Sequence, residues 1–136
     1  NIPQYIKEKL IEYKEKGYKT IAIISKTDLL SNYINDDLSA LGIHIPNVTE
    51  MDDLSDERFR ICTISNQLAK GLEFDAVIIK DASKDIYMSE SDVDMHLLYV
   101  ASTRALHELE ILYDNDITSV YEDKIRENKV KTLKMN

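Results

Sequence analysis

Four short apolar runs set the terms for this chain. They are KTIAIIS (19–25), RICTIS (60–65), DAVIIK (75–80) and ELEILY (108–113). The first three are rich in β-branched residues and all four are too short for a buried helix, so each reads as a strand. Stretches of helical periodicity separate them. After Pro3, which suits a first helical turn, Ile6, Leu10 and Tyr13 recur at helical spacing, and Gly17 marks the stop. Thr27 or Asp28 caps a second helix with the stripe Leu30, Ile34, Leu38 and Leu41, ended by Gly42. Residues 93–106 read as a third. Strands alternating with helices predict an α/β domain with a mainly parallel sheet. Ligands of such sheets bind beyond the carboxyl ends of the strands, which directs attention to Lys26 and to 66–73.

The remaining segments are less patterned. Residues 42–59 read as a short strand and an acidic loop, 66–74 as a turn or short helix around Gly71, and 81–92 as a polar loop. Residues 114–136 form a charged extension, with a helix expected around Ile117, Val120, Tyr121 and Ile125. The 136 residues suffice for one domain, 1–136, and a chain opening on Asn1 rather than Met reads as part of something longer.

Composition excludes several classes. One cysteine, Cys62, cannot form an internal disulfide or a cysteine metal cluster, which fits a reducing, cytoplasmic setting. No apolar run is long enough to span a bilayer, and no membrane partner is expected. The net charge of −8 opposes phosphate overall, although a local basic face remains compatible with it. His44, His96 and His107 are scattered without metal-ligand spacing, and the acids of 90–94 lack the pattern of a calcium loop. No P-loop sequence is present, and nothing ties a Ser-His-Asp or Cys-His set together.

Arg104 is the anomaly. On a helical wheel it extends the stripe Val93, Leu97 and Val100. Two readings stand. Either it reaches the helix edge or pairs with a carboxylate of its own domain, or it projects into a cleft and meets an anion. Pattern alone favours the first. Lys70-Gly71 poses the same choice between an anion-binding turn and a plain connection.

Two segments carry a resemblance. AKGLEFDAVII (69–79) and LLYVASTRALHEL (97–109) resemble the last two motifs of superfamily 1 helicases of the UvrD/Rep type, in the right order with a strand between. TIAIISKTDLLSNYINDDLSALGI (20–43) looks like a preceding motif of that family. The resemblance implies the C-terminal RecA-like domain of an ATP-driven motor, a three-layer fold. ATP and Mg2+ would be held mainly by the N-terminal RecA-like domain of the same chain. Arg104 would then be the arginine finger, the one catalytic residue. Glu73 would meet the ribose, Lys70 and Gly71 would belong to the nucleotide-coupled loop, and Lys26 would stand in for a second γ-phosphate arginine. The reading places Arg104, Glu73 and Lys26 together at a sheet edge.

The departures cluster on nucleic-acid coupling. Ser65 and Gln67 stand where the family often has Thr-x-His, and Met95-His96 where it often has two basic residues. The variant looks most like the branch of DNA helicase IV and HelD-type proteins. Three functions follow as expectations: a DNA helicase acting on single-stranded DNA, an RNA polymerase-binding factor driven by ATP, or an interaction domain without motor activity.

Overall fold

A computed structural model describes residues 2–113 and 131–134. The helix expected around Ile117–Ile125 lies outside them. In chain order the elements are α1 (Ile2–Glu15), β1 (Ile21–Ser25), α2 (Asp28–Ala40), two 3-10 turns (Met51–Ser55 and Glu57–Arg60), β2 (Ile61–Ser65), α3 (Asn66–Ala69), β3 (Phe74–Ile79), α4 (Asp92–Ser102), β4 (Ala105–Tyr113) and β5 (Lys131–Lys134). The strands form one sheet in the order β2-β1-β3-β4-β5, and every pairing is parallel. The α/β expectation is met, with helices covering both faces.

Side-chain alternation divides the core in two. Ile21 and Ile23 of β1, with Ala76, Ile78 and Leu112, face the α1 stripe of Ile6, Leu10 and Tyr13 and the α2 residues Ile34 and Leu38. Ala22 and Ile24, with Cys62, Ile64, Val77, Ile79 and Ile111, face α3, α4 and the loop carrying Ala82 and Tyr87. β1 is buried along its whole length, which explains its unbroken apolar run.

The helix ends follow local chemistry. Thr27 caps α2 by accepting from the Leu30 N–H at 3.2 Å. Gly17 and Gly42 adopt φ of 85° and 84°, closing α1 and α2 in a conformation costly for residues with a Cβ. The short strand expected within 42–59 reduces to one bridge, Asn47 against Thr63. The rest of the acidic loop folds into the two 3-10 turns. Its acids serve as local caps: Asp53 accepts from the Thr49 and Glu50 N–H groups at 2.9 and 3.2 Å.

The third helix differs from expectation. α4 ends at Ser102, not 106, and β4 begins at Ala105. Phe74 donates its N–H to the Arg104 carbonyl at 2.9 Å, and Ala105 pairs with Phe74. Extending the ladder on β3 wins over extending the helix. The packed face also differs: Asp94, Leu98 and Ala101 are buried, whereas Val93 is 70% exposed. The apolar stripe drawn through Val93, Leu97 and Val100 was displaced because the buried row includes an aspartate.

Candidate functional site

Because the sheet is wholly parallel, the residues that lead into its strands gather at one edge. Register places Ile61, Ile21 and Ala76 side by side, and Phe74 beside Ala105. Thr20, Arg60, Glu73 and Arg104 therefore stand at the amino ends of neighbouring strands. Lys26, Asn66 and Lys80, which follow strands, stand at the carboxyl ends. The six residues of β3 separate the two edges by roughly 20 Å. Arg104 and Glu73 are brought together, but Lys26 is not with them. The expected trio is split because one member enters a strand where another leaves it.

At the amino edge, Arg104 lies in the turn between α4 and β4, half-buried. Its Nε donates to the Val100 carbonyl at 2.9 Å, Nη1 to the Leu72 carbonyl at 3.3 Å and Nη2 to the Thr103 hydroxyl at 3.0 Å. All three acceptors are uncharged. Among the described residues no carboxylate lies within ion-pair distance of it, and of the two structural forms only the helix-edge one agrees with these bonds. The Val100 carbonyl is one of the last of α4, where the helix dipole favours a cation. These bonds use three of the five guanidinium donors.

The Leu72 carbonyl belongs to the AKGLEF loop, so the two motifs are joined by a direct bond. The loop starts with α3, capped by Ser65, whose hydroxyl accepts from the Leu68 N–H at 3.5 Å. Gly71 then turns the chain with φ of 83°. Lys70, Gly71 and Glu73 are exposed, and Phe74 is buried beneath them. Beside Glu73 opens a pocket of about 310 Å³, walled by Leu54, Phe59, Leu72 and Phe74 and rimmed by Thr20 and Arg60. Nothing in the pattern of the acidic loop singles out Phe59 or Arg60.

At the carboxyl edge, Lys26 is already engaged. Its Nζ lies 2.8 Å from Asp94 Oδ1, donates to the Ile86 carbonyl at 2.7 Å and sits 5.7 Å from the Tyr87 ring centre. Burial raises the Asp94 carboxyl, but the Lys26 ammonium and the Met88 N–H at 2.9 Å outweigh it and hold the group below its usual range. Asn66, fully buried, donates to the Leu97 carbonyl at 2.8 Å and accepts from the Tyr87 hydroxyl. Nothing in the sequence pattern singles out Tyr87, while Asn66 and Asp94 enter it only as the ends of the segments 66–73 and 90–94. Ser65 is buried in its cap, and Gln67 is exposed beside it. Among the described residues no group of three or more His, Cys, Asp or Glu side chains could hold a metal ion. Among them, too, no helix is long and apolar enough to cross a membrane.

Both motif segments fall in one matched stretch. Residues 60–112 match the UvrD-like helicase C-terminal domain family. The match runs from the entry of β2 through β4, and it supports a superfamily 1 helicase-like motor domain. In structure the chain is similar to the C-terminal domain of a possible DNA helicase from Lactobacillus plantarum WCFS1. The TM-score is 0.81 at 23% identity, covering 96% of this chain and 77% of that one. It is also similar to the C-terminal part of the Fun30 ATPase domain, with a TM-score of 0.51 at 16% identity, covering 98% of this chain and 47% of that one. At these identities the two likenesses establish the helicase C-terminal, RecA-like fold. No curated protein matches in sequence.

Proposed function

We propose that this chain is the C-terminal motor domain of an ATP-dependent superfamily 1 helicase or translocase, with Arg104 as the arginine finger of a composite ATP site. The observation that carries this reading is the setting of Arg104. It is a guanidinium held at a sheet edge, among the described residues by uncharged acceptors, bonded to the AKGLEF loop and adjacent to Glu73.

Phosphoryl transfer requires charge stabilisation on the equatorial oxygens more than covalent chemistry. A guanidinium is always charged and offers a planar fork of donors, which suits that task. Its tether to the Leu72 carbonyl couples finger and loop, so that Glu73, at the ribose, and Arg104, at the γ-phosphate, approach a nucleotide as one unit. Lys70 and Gly71 shape the turn that sets this spacing. A second RecA-like domain of the same polypeptide would hold most of the ATP and the Mg2+. Lys26 is left out of the nucleotide site, since it stands at the other edge and is neutralised by Asp94. Ser65 and Gln67 share that edge, the side on which a single-stranded DNA would lie. The test is Arg104→Ala in the full-length protein. ATPase activity should fall by roughly three orders of magnitude or more. A rate near wild type overturns the finger.

A second reading, an ATP-driven factor that binds RNA polymerase, draws on the −8 net charge and on Met95-His96 in place of basic residues. Strong stimulation of the full-length ATPase by single-stranded DNA, without capture of core RNA polymerase, would exclude it.

A further inference from the structure

We infer that Thr103 is a positioning residue for Arg104, its hydroxyl fixing the plane of the guanidinium without neutralising it. The inference rests on the reading of Arg104 as the finger. It gives a role to the side chain that precedes it.

The chemistry of the partners decides which way each bond runs. Thr103 Oγ1 lies 2.9 Å from the Val100 carbonyl, which can only accept, so the single hydroxyl proton points there. The oxygen therefore turns a lone pair toward Arg104. A guanidinium can only donate, and Nη2 donates to that oxygen at 3.0 Å. The same Val100 carbonyl accepts from Arg104 Nε at 2.9 Å. Val100, Thr103 and Arg104 thus close a ring of three hydrogen bonds. A guanidinium held at both Nε and Nη2 cannot turn its plane without breaking one of them.

Thr103 is itself fixed. It ends α4 with φ of −94° and ψ of 6°, and its N–H donates to the Tyr99 and Val100 carbonyls at 3.1 and 3.2 Å. Its branched Cβ restricts χ1. The bond from Nη1 to the Leu72 carbonyl is longer, 3.3 Å, so the ring is the tighter hold. Together these bonds take Nε–H and one N–H of each terminal nitrogen. One N–H on each terminal nitrogen remains, which suits two oxygens of a phosphoryl group. A carboxylate at this place would hold the arginine more firmly but cancel its charge, as Asp94 does for Lys26. A hydroxyl orients the group and leaves the charge for an anion.

A threonine hydroxyl bonded to the carbonyl three residues back is also a plain feature of helix ends. The experiment that separates the two roles is a double-variant cycle on the ATPase of the full-length protein, with ADP affinity by calorimetry. Thr103→Val keeps the shape and removes the hydroxyl. It should lower kcat roughly tenfold or more, because a misplacement of about 1 Å near a reacting group has effects of that order. The ADP Kd should stay within about twofold, since ADP lacks the phosphate that Arg104 would meet. Thr103→Ser restores the hydroxyl and should bring kcat back to within about threefold of wild type. In an Arg104→Ala background, Thr103→Val should change nothing further. If kcat of Thr103→Val stays within about twofold of wild type while Arg104→Ala is impaired, the positioning role is overturned and the finger stands. A further loss in the Arg104→Ala background, or no recovery with serine, also overturns it, because the threonine would then act through the helix end alone. A wild-type rate in Arg104→Ala overturns the finger and this role with it.

Discussion

Lys26 and Asp94, 68 residues apart in the chain, form an ion pair of 2.8 Å at the carboxyl edge of the sheet, with side chains 23% and 11% exposed. The pair joins the end of β1 to the first turn of α4. It explains how an aspartate can occupy the packed face of that helix, and it removes Lys26 from the list of free cations.

The pair has a pH signature. Asp94 is held below the ordinary aspartate value of 3.8, so its contribution to stability is fully present above that value. It is lost as the pH falls through the lower, folded-state value. Asp94→Asn should reduce unfolding free energy by about 1–3 kcal/mol at pH 7. The gap between variant and wild type should narrow in strong acid. Urea midpoints at pH 7 and pH 3 measure both.

Asn66 ties α3, α4 and the Tyr87 loop through two bonds inside the core. Asn66→Leu removes both bonds and should lower the unfolding free energy by about 1–3 kcal/mol. Tyr87→Phe should cost less, because only one bond is lost. Thermal melts of the two variants should rank in that order.

Gly71 turns with φ of 83°, and a Cβ added there would meet nothing within 4 Å. The cost of Gly71→Ala is therefore conformational alone, about 1–2 kcal/mol. Gly71→Asn, which tolerates that region better, should recover part of it. Equal destabilisation by Ala and Asn in a denaturant series would show that the cost has another origin.

Arg104→Lys separates structure from chemistry. A lysine keeps the charge but cannot reach the Val100 and Leu72 carbonyls as a fork. The unfolding free energy should stay within about 1 kcal/mol of wild type, since the bonds lost are to neutral acceptors at a half-open site. The ATPase rate of the full-length protein should nevertheless fall far below wild type. A stable variant with an unchanged rate would show that only charge matters at this position.

Much of the scaffold is written in the sequence. The four apolar runs fall on β1 to β4, and the stripes of α1 and α2 mark their buried faces. These are local signals, because the spacing of apolar residues must match the rise and turn of the element that buries them. The AKGLEF and YVASTRA segments were likewise legible as motifs. The tertiary structure decided what no spacing carries. Asp94 can be buried because Lys26 arrives from the end of β1 and the Met88 N–H from the loop before α4. Arg104 leaves the helix because β3 offers Ala105 a ladder. The parallel register places Arg104 with Glu73 and sends Lys26 to the opposite edge. The physical reason is common to all three. A buried charge or a strand end is set by its partner, and the partner's position depends on the path of the whole chain rather than on its neighbours in sequence.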